Sequence, residues 1–311
     1  MKKVGIIGGS GFIGSHVTKK FLAENFKVKV SSTDIDNKSK YEHLLKLDKA
    51  EQLEIYPIDL TQPESIGAFV KDCEIIVHAG TPFQLDVKDP QTELFDPTVK
   101  GTQNFLEVIK NTEGIKKVIF IASVASWNTS FPMTPATYEA GHVFSEIDTP
   151  YFSATDHPYA QAKFLADQAV RNFTAENSNL SFEIISMSPV FVVGNPLSGR
   201  QDSTSVGMQF LFKNKIAPNP FVEMLFSTDA AFAMVDVRNV ADAVYAAATT
   251  SGLHGKNYIL SNESYKISDI SLMLNHQEPL SAATHVYNSA LAKKDLYVDF
   301  ISAWETLNNC V

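Results

Sequence analysis

The sequence predicts an α/β fold with a doubly wound parallel sheet and a smaller C-terminal lobe. Three observations predict it: short β-branched runs alternate with helix-length segments, several of these runs are apolar on both faces, and the composition changes after about residue 188. The run at 118–121 is apolar at every position, as expected of a parallel strand that helices cover on both sides. Such alternation is typical of an open sheet wound in both directions.

The predicted elements follow one another in a regular order. Short β-branched runs predict strands at 4–7, 27–31, 53–57, 74–78, 117–122 and 182–187. Helical periodicity between them predicts helices at 12–24, 63–71, 93–111 and 158–175. Residues 194–231 are instead rich in Gly, Pro, Asn, Ser and Phe, and a helix-like segment at 235–249 and a strand-like segment at 257–261 follow.

Composition excludes several classes of protein. The 311 residues carry a net charge of −9, so no basic surplus exists to pair with nucleic-acid or membrane phosphates. Cys73 and Cys310 are too few for a disulfide framework, and the eight histidines show no metal-binding spacing. No apolar run approaches the roughly 18 residues that cross a bilayer. We expect a cytoplasmic protein with no metal, no nucleic-acid partner and no membrane partner.

Residues 8–14 form a glycine turn between the first predicted strand and the first predicted helix. Its glycines have the spacing GxxGxxG and also fit GxGxxG. A pyrophosphate needs glycine there because a Cβ would block its approach to the N–H groups of the helix N-terminus. An ordinary tight turn is the alternative, and a P-loop is excluded because no Lys-Ser/Thr pair follows. The candidate dinucleotide contacts in this turn are Gly8, Ser10, Gly11, Phe12, Ile13 and Gly14.

The glycine turn in this context indicates a Rossmann sheet. We assign a dinucleotide-binding Rossmann domain to residues 1–188 plus 232–252. The remaining residues, 189–231 plus 253–311, are expected to form a substrate-binding lobe. This lobe is expected to close over the C-terminal edge of the sheet, where such folds bind their ligands.

The end of the second predicted strand indicates which nicotinamide dinucleotide is bound. An acidic side chain there would grip the ribose hydroxyls of NAD. Ser32 and Thr33 are neutral instead, and Lys38 and Lys40 follow, which favours the 2′-phosphate of NADP. Asp34 is the first acid in this segment and favours NAD. We expect NADP, with NAD as the alternative.

Asp59 and Leu60 follow the third predicted strand. Asp59 is placed to accept a hydrogen bond from the adenine amino group, and we assign Leu60 beside it to the same site. The alternative is an aspartate that caps a helix or a turn and leaves the cofactor untouched.

Tyr159 and Lys163 form a YxxxK pair on a predicted helix. Residues four apart lie on one helix face, and an ammonium beside a phenol lowers a phenol pKa that starts near 10. Such a tyrosine can give a proton to a carbonyl oxygen while a hydride reaches the carbon. Ser123 follows the fifth predicted strand, where its hydroxyl can bond the same oxygen. An ordinary amphipathic helix face is the alternative explanation of the pair.

These residues together resemble an extended short-chain dehydrogenase/reductase of the NAD-dependent epimerase/dehydratase superfamily. The chain is most similar to the branch that contains dihydroflavonol reductase, cinnamoyl-CoA reductase and the methylglyoxal/aldehyde reductases. The resemblance covers most of the chain and is carried by residues 8–14, 77–83, 99–104, 188–191, 235–240 and 292–300, with Ser123, Tyr159 and Lys163.

The resemblance implies roles for individual residues. The implied catalytic triad is Ser123, Tyr159 and Lys163. The implied neighbours of the cofactor are Ala79, Gly80, Thr81, Pro189 and Val192. The implied substrate contacts are Phe83, Ser126 and Asn128. Lys163 would also hold the nicotinamide ribose, and Asn128 matches an asparagine that contacts flavonoid hydroxyls in dihydroflavonol reductases.

The sequence departs from the family pattern at three places. Ala122 and Ser123 stand where the family often has a pair of serines, which leaves the implied catalytic serine intact. Thr33 stands where the reductases usually have arginine, which weakens the case for NADP. Residues 98–102 read TVKGT where many relatives have NVxGT, so a proton relay through that asparagine is in doubt.

The substrate is expected to be an apolar or aromatic carbonyl compound. The lobe offers the apolar side chains of Met208, Phe210, Phe212, Phe221, Met224 and Phe226. It is poor in the arginines that a nucleotide-sugar diphosphate would want. The leading hypothesis is therefore an NADP-dependent reductase of an aldehyde or ketone. The alternatives are a nucleotide-sugar epimerase or dehydratase and a non-catalytic NAD(P)-sensing regulator.

A homodimer is a further expectation for this chain, because helices of this fold often pair two chains.

Overall fold

Strands and helices alternate through the first 190 residues of the computed structural model, which describes residues 2–80, 88–139, 141–200 and 203–310. The strands are β1 (Lys3–Ile7), β2 (Lys27–Ser32), β3 (Leu53–Pro57), β4 (Ile75–His78), β5 (Lys117–Ile121), β6 (Glu183–Pro189), β7 (Phe191–Val193), β8 (Ala231–Asp236), β9 (Asn257–Leu260) and β10 (Ser264–Lys266). The helices are α1 (Phe12–Ala23), α2 (Pro63–Val70), α3 (Gly101–Lys110), α4 (Pro158–Glu176), α5 (Thr204–Asn214), α6 (Pro220–Thr228), α7 (Val237–Thr249), α8 (Ile267–Leu274), α9 (Ala290–Leu296) and α10 (Ala303–Asn308). Within those described ranges, no helix combines the length and the apolar character needed to span a membrane.

Seven strands form one parallel sheet in the order β3-β2-β1-β4-β5-β6-β9. The chain winds from β1 outward through β2 to β3 and then returns to the other side of β1 at β4. Ile7 of β1 is in register with His78 of β4, and His78 with Phe120 of β5. The change of direction between β1 and β4 opens a crevice at the carboxyl ends of these strands, where such sheets bind ligands. The predicted doubly wound Rossmann sheet is confirmed.

Helices cover both faces of this large sheet. α1 and α7 pack together on one face, where the buried residues include Val17, Phe21, Val240 and Val244. α2, α3 and α4 cover the other face, where the buried residues include Ile66, Phe69, Phe105, Ile109 and Val170. Both β4 and β5 are buried at every position, which explains why their sequences are apolar without alternation except at His78 and Lys117.

Three strands form a second, smaller sheet. β8 is its central strand and pairs parallel to β7 and antiparallel to β10. Helices α5, α6, α8 and α10 supply much of its core. This core is separate from the two layers of the large sheet and includes Phe191, Met208, Phe212, Val222, Leu225, Phe232, Met234 and Ile270.

Two strands lie in the sheet opposite to the one that the predicted residue ranges imply. β8 falls almost wholly within 232–252, which we assign to the Rossmann domain, but it forms the centre of the small sheet. β9 falls within 253–311, which we assign to the lobe, but it extends the large sheet beyond β6. The chain crosses from one sheet to the other after β6, β8 and β9, so the second and third crossings lie at other positions than those ranges imply. The division into two domains stays a prediction.

Two helices differ from their predicted bounds. The predicted helix at 93–111 is divided into a π-helical segment, Gln91–Lys100, and α3; Pro97 in that segment has no N–H to donate. The predicted helix at 235–249 begins only at Val237. β8 continues to Asp236, whose carboxylate accepts a hydrogen bond from the Arg238 N–H at 2.7 Å and thereby caps α7.

Candidate active site

The glycine turn connects β1 to α1 beside the end of β4. Gly8 has a φ of +76°, and its carbonyl accepts a hydrogen bond from the Gly11 N–H at 3.0 Å. A Cβ on Gly14 would lie 2.1 Å from the Gly8 oxygen, and a Cβ on Gly8 would lie 2.9 Å from the Gly80 backbone. The turn therefore needs its glycines. Because Gly11 gives α1 no side-chain cap, the N–H groups of the first helical turn fit a dinucleotide pyrophosphate.

The remaining predicted residues of this region lie around the turn. Ser10, Phe12 and Ile13 are half-buried, and Ile13 reaches the candidate cavity described below. Ala79 extends β4, its N–H donating to the Ile7 carbonyl at 2.9 Å, and it lines the same cavity. Thr81 and Phe83, predicted as a cofactor and a substrate contact, lie outside the described residues.

The end of β2 lies next to the glycine turn. Ser31 accepts a hydrogen bond from the Gly8 N–H at 2.9 Å, whereas Ser32 is buried and donates to the Asp34 carbonyl at 2.8 Å. Thr33 and Asp34 are exposed, and Lys40 donates to the Thr33 hydroxyl at 3.2 Å. The structure thus brings Thr33, Asp34 and a lysine together at the strand end.

Arg200 also reaches the segment that follows β2. Its Nη1 donates to the Lys40 carbonyl at 2.7 Å, although 160 positions separate the two residues in the sequence. No sequence motif points to this neighbour, because the approach depends on how the chain after β7 crosses the large sheet. It adds a cation near the strand end.

Asp59 lies in the turn that follows β3 and is exposed. Its Oδ1 accepts hydrogen bonds from both the N–H and the hydroxyl of Thr61, at 2.9 and 2.7 Å. These bonds lower the pKa of Asp59 below its ordinary value. Oδ1 of Asp59 therefore makes the contacts that the alternative, a turn-capping aspartate, predicts. Leu60 is half-buried, and its carbonyl accepts from the Asn104 side chain at 3.4 Å.

A cavity of about 200 Å³ opens at the carboxyl ends of β4, β5 and β6. The predicted catalytic residues Ser123, Tyr159 and Lys163 all line it, together with the predicted nicotinamide neighbours Pro189 and Val192. These five residues come from three separate parts of the sequence. The other described lining residues include Ile13, Ala79, Ala122, Thr129, Phe131, His157, Phe191, Ser205, Met208, Phe221 and Phe232.

Tyr159 enters the cavity from the first turn of α4. This helix begins there because Pro158 suits the first helical position and the His157 ring accepts a hydrogen bond from the Tyr159 N–H at 3.2 Å. Burial raises the pKa of the Tyr159 phenol above its ordinary value, and a hydrogen bond with the Ser123 hydroxyl opposes that rise. Ser123 also accepts from the Ala125 N–H at 3.2 Å, which fixes its position after β5.

Lys163 lies one helical turn after Tyr159 and is buried. Its ammonium donates to the Ile121 carbonyl at a long 3.5 Å. Burial lowers the pKa of Lys163 to about 8, and the carboxylate of Asp167 opposes that fall. At neutral pH the lysine therefore carries its charge in the cavity that Tyr159 also lines. Asp167 is a site residue that no motif in the sequence indicates.

Aromatic side chains form much of the cavity wall. Phe191 and Phe232 come from the small sheet, Met208 from α5 and Phe221 from α6. Of the lobe residues considered from the sequence, Met208 and Phe221 line the cavity. Phe212 is instead fully buried in the small-sheet core, and Phe210 is largely exposed.

The predicted substrate contacts Ser126 and Asn128 do not belong to the described lining. Ser126 is fully buried and donates to the Ser123 carbonyl at 2.7 Å. The Asn128 amide donates to the Met133 carbonyl at 2.9 Å and to the Tyr287 hydroxyl at 3.1 Å. Both side chains hold together the segment behind the cavity wall. Phe131, which follows this segment, lines the cavity and was not indicated by any motif.

A parallel sheet with a glycine turn at its reversal point, and a serine, a tyrosine and a lysine around one cavity at its carboxyl edge, defines an extended short-chain dehydrogenase/reductase. The chain belongs to the NAD dependent epimerase/dehydratase family, whose model matches residues 4–261. The resemblance noted from the sequence is confirmed, and membership of this family confirms the expectation of a nicotinamide dinucleotide cofactor.

Similar proteins include several reductases. Cinnamoyl-CoA reductase CAD2 of Medicago truncatula is 30% identical over 256 residues, which cover 80% of this chain and 74% of that protein. A bifunctional dihydroflavonol 4-reductase/flavanone 4-reductase of Malus domestica is 30% identical over 195 residues, or 62% of this chain and 55% of that protein. The structure of Gre2 from Candida albicans in complex with NADPH superposes with a TM-score of 0.82 and 22% identity, covering 100% of this chain and 97% of that one.

Proposed function

We propose that this chain is an NADPH-dependent carbonyl reductase that converts a small aldehyde or ketone with apolar substituents into an alcohol. The observation that carries the proposal is that Ser123, Tyr159 and Lys163 line one cavity with Pro189 and Val192. Two similar proteins are named cinnamoyl-CoA reductase and dihydroflavonol 4-reductase/flavanone 4-reductase, and these names support the same reaction class.

The cofactor would extend from the glycine turn to this cavity. The turn would hold the pyrophosphate, Lys163 the nicotinamide ribose, and Pro189 and Val192 would border the nicotinamide. When bound, NADPH supplies a hydride to the carbonyl carbon. The pairing of Lys40 with Thr33 supports NADPH over NADH, as does the NADPH found in the Gre2 structure.

The chain's own residues would manage the proton. As the carbonyl oxygen gains negative charge, the Tyr159 phenol would give it a proton, which completes the alcohol. The Ser123 hydroxyl would donate a hydrogen bond to the same oxygen. The ammonium of Lys163 would stabilise the phenolate that remains and would so oppose the burial that raises the pKa of Tyr159.

The cavity wall supports an uncharged substrate. Among the described lining residues, Lys163 is the one side chain of the Lys, Arg, Asp and Glu types, and we assign it to the cofactor and the phenol. A nucleotide sugar carries a diphosphate that would require further cations. Burial of apolar substituents against Phe131, Phe221 and Phe232 would orient the carbonyl group.

The experiment follows absorbance at 340 nm with NADPH, and then NADH, against aromatic and aliphatic aldehydes and ketones. Tyr159→Phe should lower turnover about 10²–10⁴-fold while NADPH still binds. Tyr258→Phe is the control, because that tyrosine is buried and hydrogen-bonds Asp295 away from the cavity. Undiminished turnover in Tyr159→Phe would remove this residue from the mechanism. If no aldehyde or ketone is reduced and a nucleotide stays bound through purification, the result would favour an epimerase, a dehydratase or a sensor.

A further inference from the structure

Asp167 is a buried carboxylate on the same face of α4 as the candidate catalytic pair. It lies four residues after Lys163, just as Lys163 lies four residues after Tyr159, so the three side chains follow one another at successive helical turns. Asp167 is only 3% exposed, which is rare for an aspartate without a specific partner. Its burial therefore calls for an explanation in terms of the groups around it.

Two side chains hold the carboxylate in place. Arg171 Nε donates to its Oδ2 at 2.6 Å, and Asn257 Nδ2 donates to its Oδ1 at 3.2 Å. Asn257 is itself fixed, because its Oδ1 accepts from the Ser188 hydroxyl at 2.8 Å. Burial raises the pKa of Asp167, whereas the charges of Arg171 and Lys163 lower it. The carboxylate is thus oriented by neighbours on α4 and β9 and faces two cations.

A small inner cavity of about 20 Å³ lies between Asp167 and Lys163. His78 also lines it, and the Nε2 of this buried histidine has no hydrogen-bond partner in the described part of the chain. The volume is sufficient for one water molecule with polar partners on several sides. Lys163, Asp167 and His78 thus line one small space, and the charges of Lys163 and Asp167 interact across it.

We propose that Asp167 is the positioning residue of this active site, holding the Lys163 ammonium charged and oriented toward the Tyr159 phenol. The proposal rests on the proposed reductase function. Burial removes water from an ammonium and favours its neutral form, and an opposite charge restores the charged form. Without Asp167, Lys163 would lose its proton nearer to neutral pH and would no longer stabilise the phenolate.

The surroundings of Lys163 make Asp167 its one described anionic neighbour. The titratable groups that line these two cavities with Lys163 are Tyr159 and Asp167 on its own helix, His157 just before that helix, and His78 on β4. The π-helical segment also packs on α4, but its Asp96 and Lys100 pair with each other at 2.9 Å. His78 is neutral near pH 7, because burial lowers its pKa to about 4.

The direct test measures the pKa of Lys163 by NMR of protein labelled with ¹³C at the lysine ε-carbon, with Lys163→Met identifying the signal. Asp167→Asn should lower this pKa by about 1–3 pH units, the effect of removing a nearby opposite charge. Asp167→Glu should restore most of it. Asp156→Asn removes a carboxylate that hydrogen-bonds Thr129 and Ser130 near the site, and it should leave the pKa of Lys163 unchanged.

The kinetic test follows carbonyl reduction against pH. In the wild type kcat should fall on the alkaline side near pH 8, and in Asp167→Asn this fall should occur at lower pH. Turnover of the variant at pH 7 should therefore be about tenfold lower than that of the wild type, and it should recover as the pH is lowered. A loss of folding would instead reduce turnover at every pH; Asp167→Ser offers a second neutral variant in that case. An unchanged Lys163 pKa in a folded Asp167 variant overturns the proposal. A wild-type chain that reduces no carbonyl overturns the proposed function alone, because the NMR measurement needs no turnover.

Discussion

Thr33 lies between charged side chains at the end of β2, next to the glycine turn. Thr33 accepts a hydrogen bond from the Lys40 ammonium, and Asp34 beside it is exposed. Near the protein surface, two like charges a few ångströms apart repel by on the order of 1 kcal/mol or more. A single added carboxylate can therefore change which dinucleotide is preferred.

Thr33→Asp should move the preference of the enzyme from NADPH toward NADH. The new carboxylate would pair with Lys40 and repel the 2′-phosphate, so the ratio of kcat/KM for NADPH to that for NADH should fall about tenfold. Thr249→Asp adds the same charge at the exposed end of α7 and serves as the control. An unchanged ratio would mean that the strand end does not select the cofactor.

At the scale of single residues, sequence spacing predicted those site residues whose positions depend on nearby parts of the chain. Tyr159 and Lys163 could be predicted because four residues make one helical turn, and Ser123 because it follows a strand that ends at the binding edge. The position of Asn128 could not be predicted in this way. Its amide is turned toward Met133 and Tyr287, and the Tyr287 partner lies far along the chain.

At the scale of elements, the glycine turn is the tightest join in the structure. Gly14→Ala would put a Cβ 2.1 Å from the Gly8 carbonyl oxygen, and neither backbone segment can move without displacing β1 or α1. We expect the free energy of unfolding to fall by about 1–3 kcal/mol, as for other overpacked positions, and NADPH affinity to fall with it.

Gly67→Ala in α2 is the matched control for this substitution. A Cβ there would meet only Val108 Cγ1, at 3.9 Å, so alanine should stabilise the helix by about 0.5–1 kcal/mol. Urea unfolding and fluorescence titration with NADPH measure both variants. Normal nucleotide affinity in Gly14→Ala would show that the turn can rearrange without affecting the site.

The elements of the large sheet could be predicted because each buried parallel strand has its own apolar run. Assignment of strands to sheets in the C-terminal half could not be made from such runs. β8 and β9 are both short and apolar, and only their hydrogen-bonded partners, on β7 and β10 or on β6, distinguish them. Those partners are set by tertiary packing and leave no periodic pattern in the sequence.

At the scale of the whole molecule, one buried histidine links stability to pH. His78 lies between Phe105 and Phe120 in the core, and burial and the charge of Lys163 lower its pKa to about 4. The unfolded chain takes up this proton near pH 6.5 and the folded chain only near pH 4. Stability from this residue is therefore lost as the pH falls between those values, by about 3 kcal/mol in all.

His78→Phe should reduce this loss while keeping the ring contacts. Between pH 7 and pH 4, the free energy of unfolding should fall by about 3 kcal/mol less in the variant than in the wild type. The measurement is urea unfolding at a series of pH values. His285→Gln, at an exposed position, should follow the wild-type curve. Parallel curves for wild type and His78→Phe would contradict the assignment.

The late return of the chain to β9 matters for synthesis on the ribosome. β6 ends at Pro189, but its outer neighbour β9 begins at Asn257, so residues 190–256 must be made before that edge is paired. At the ~5–20 residues per second of translation, the edge stays open for several seconds. A nascent chain in this interval presents an unpaired strand of the kind that templates aggregation. Slower translation of residues 190–256 would lengthen this exposure.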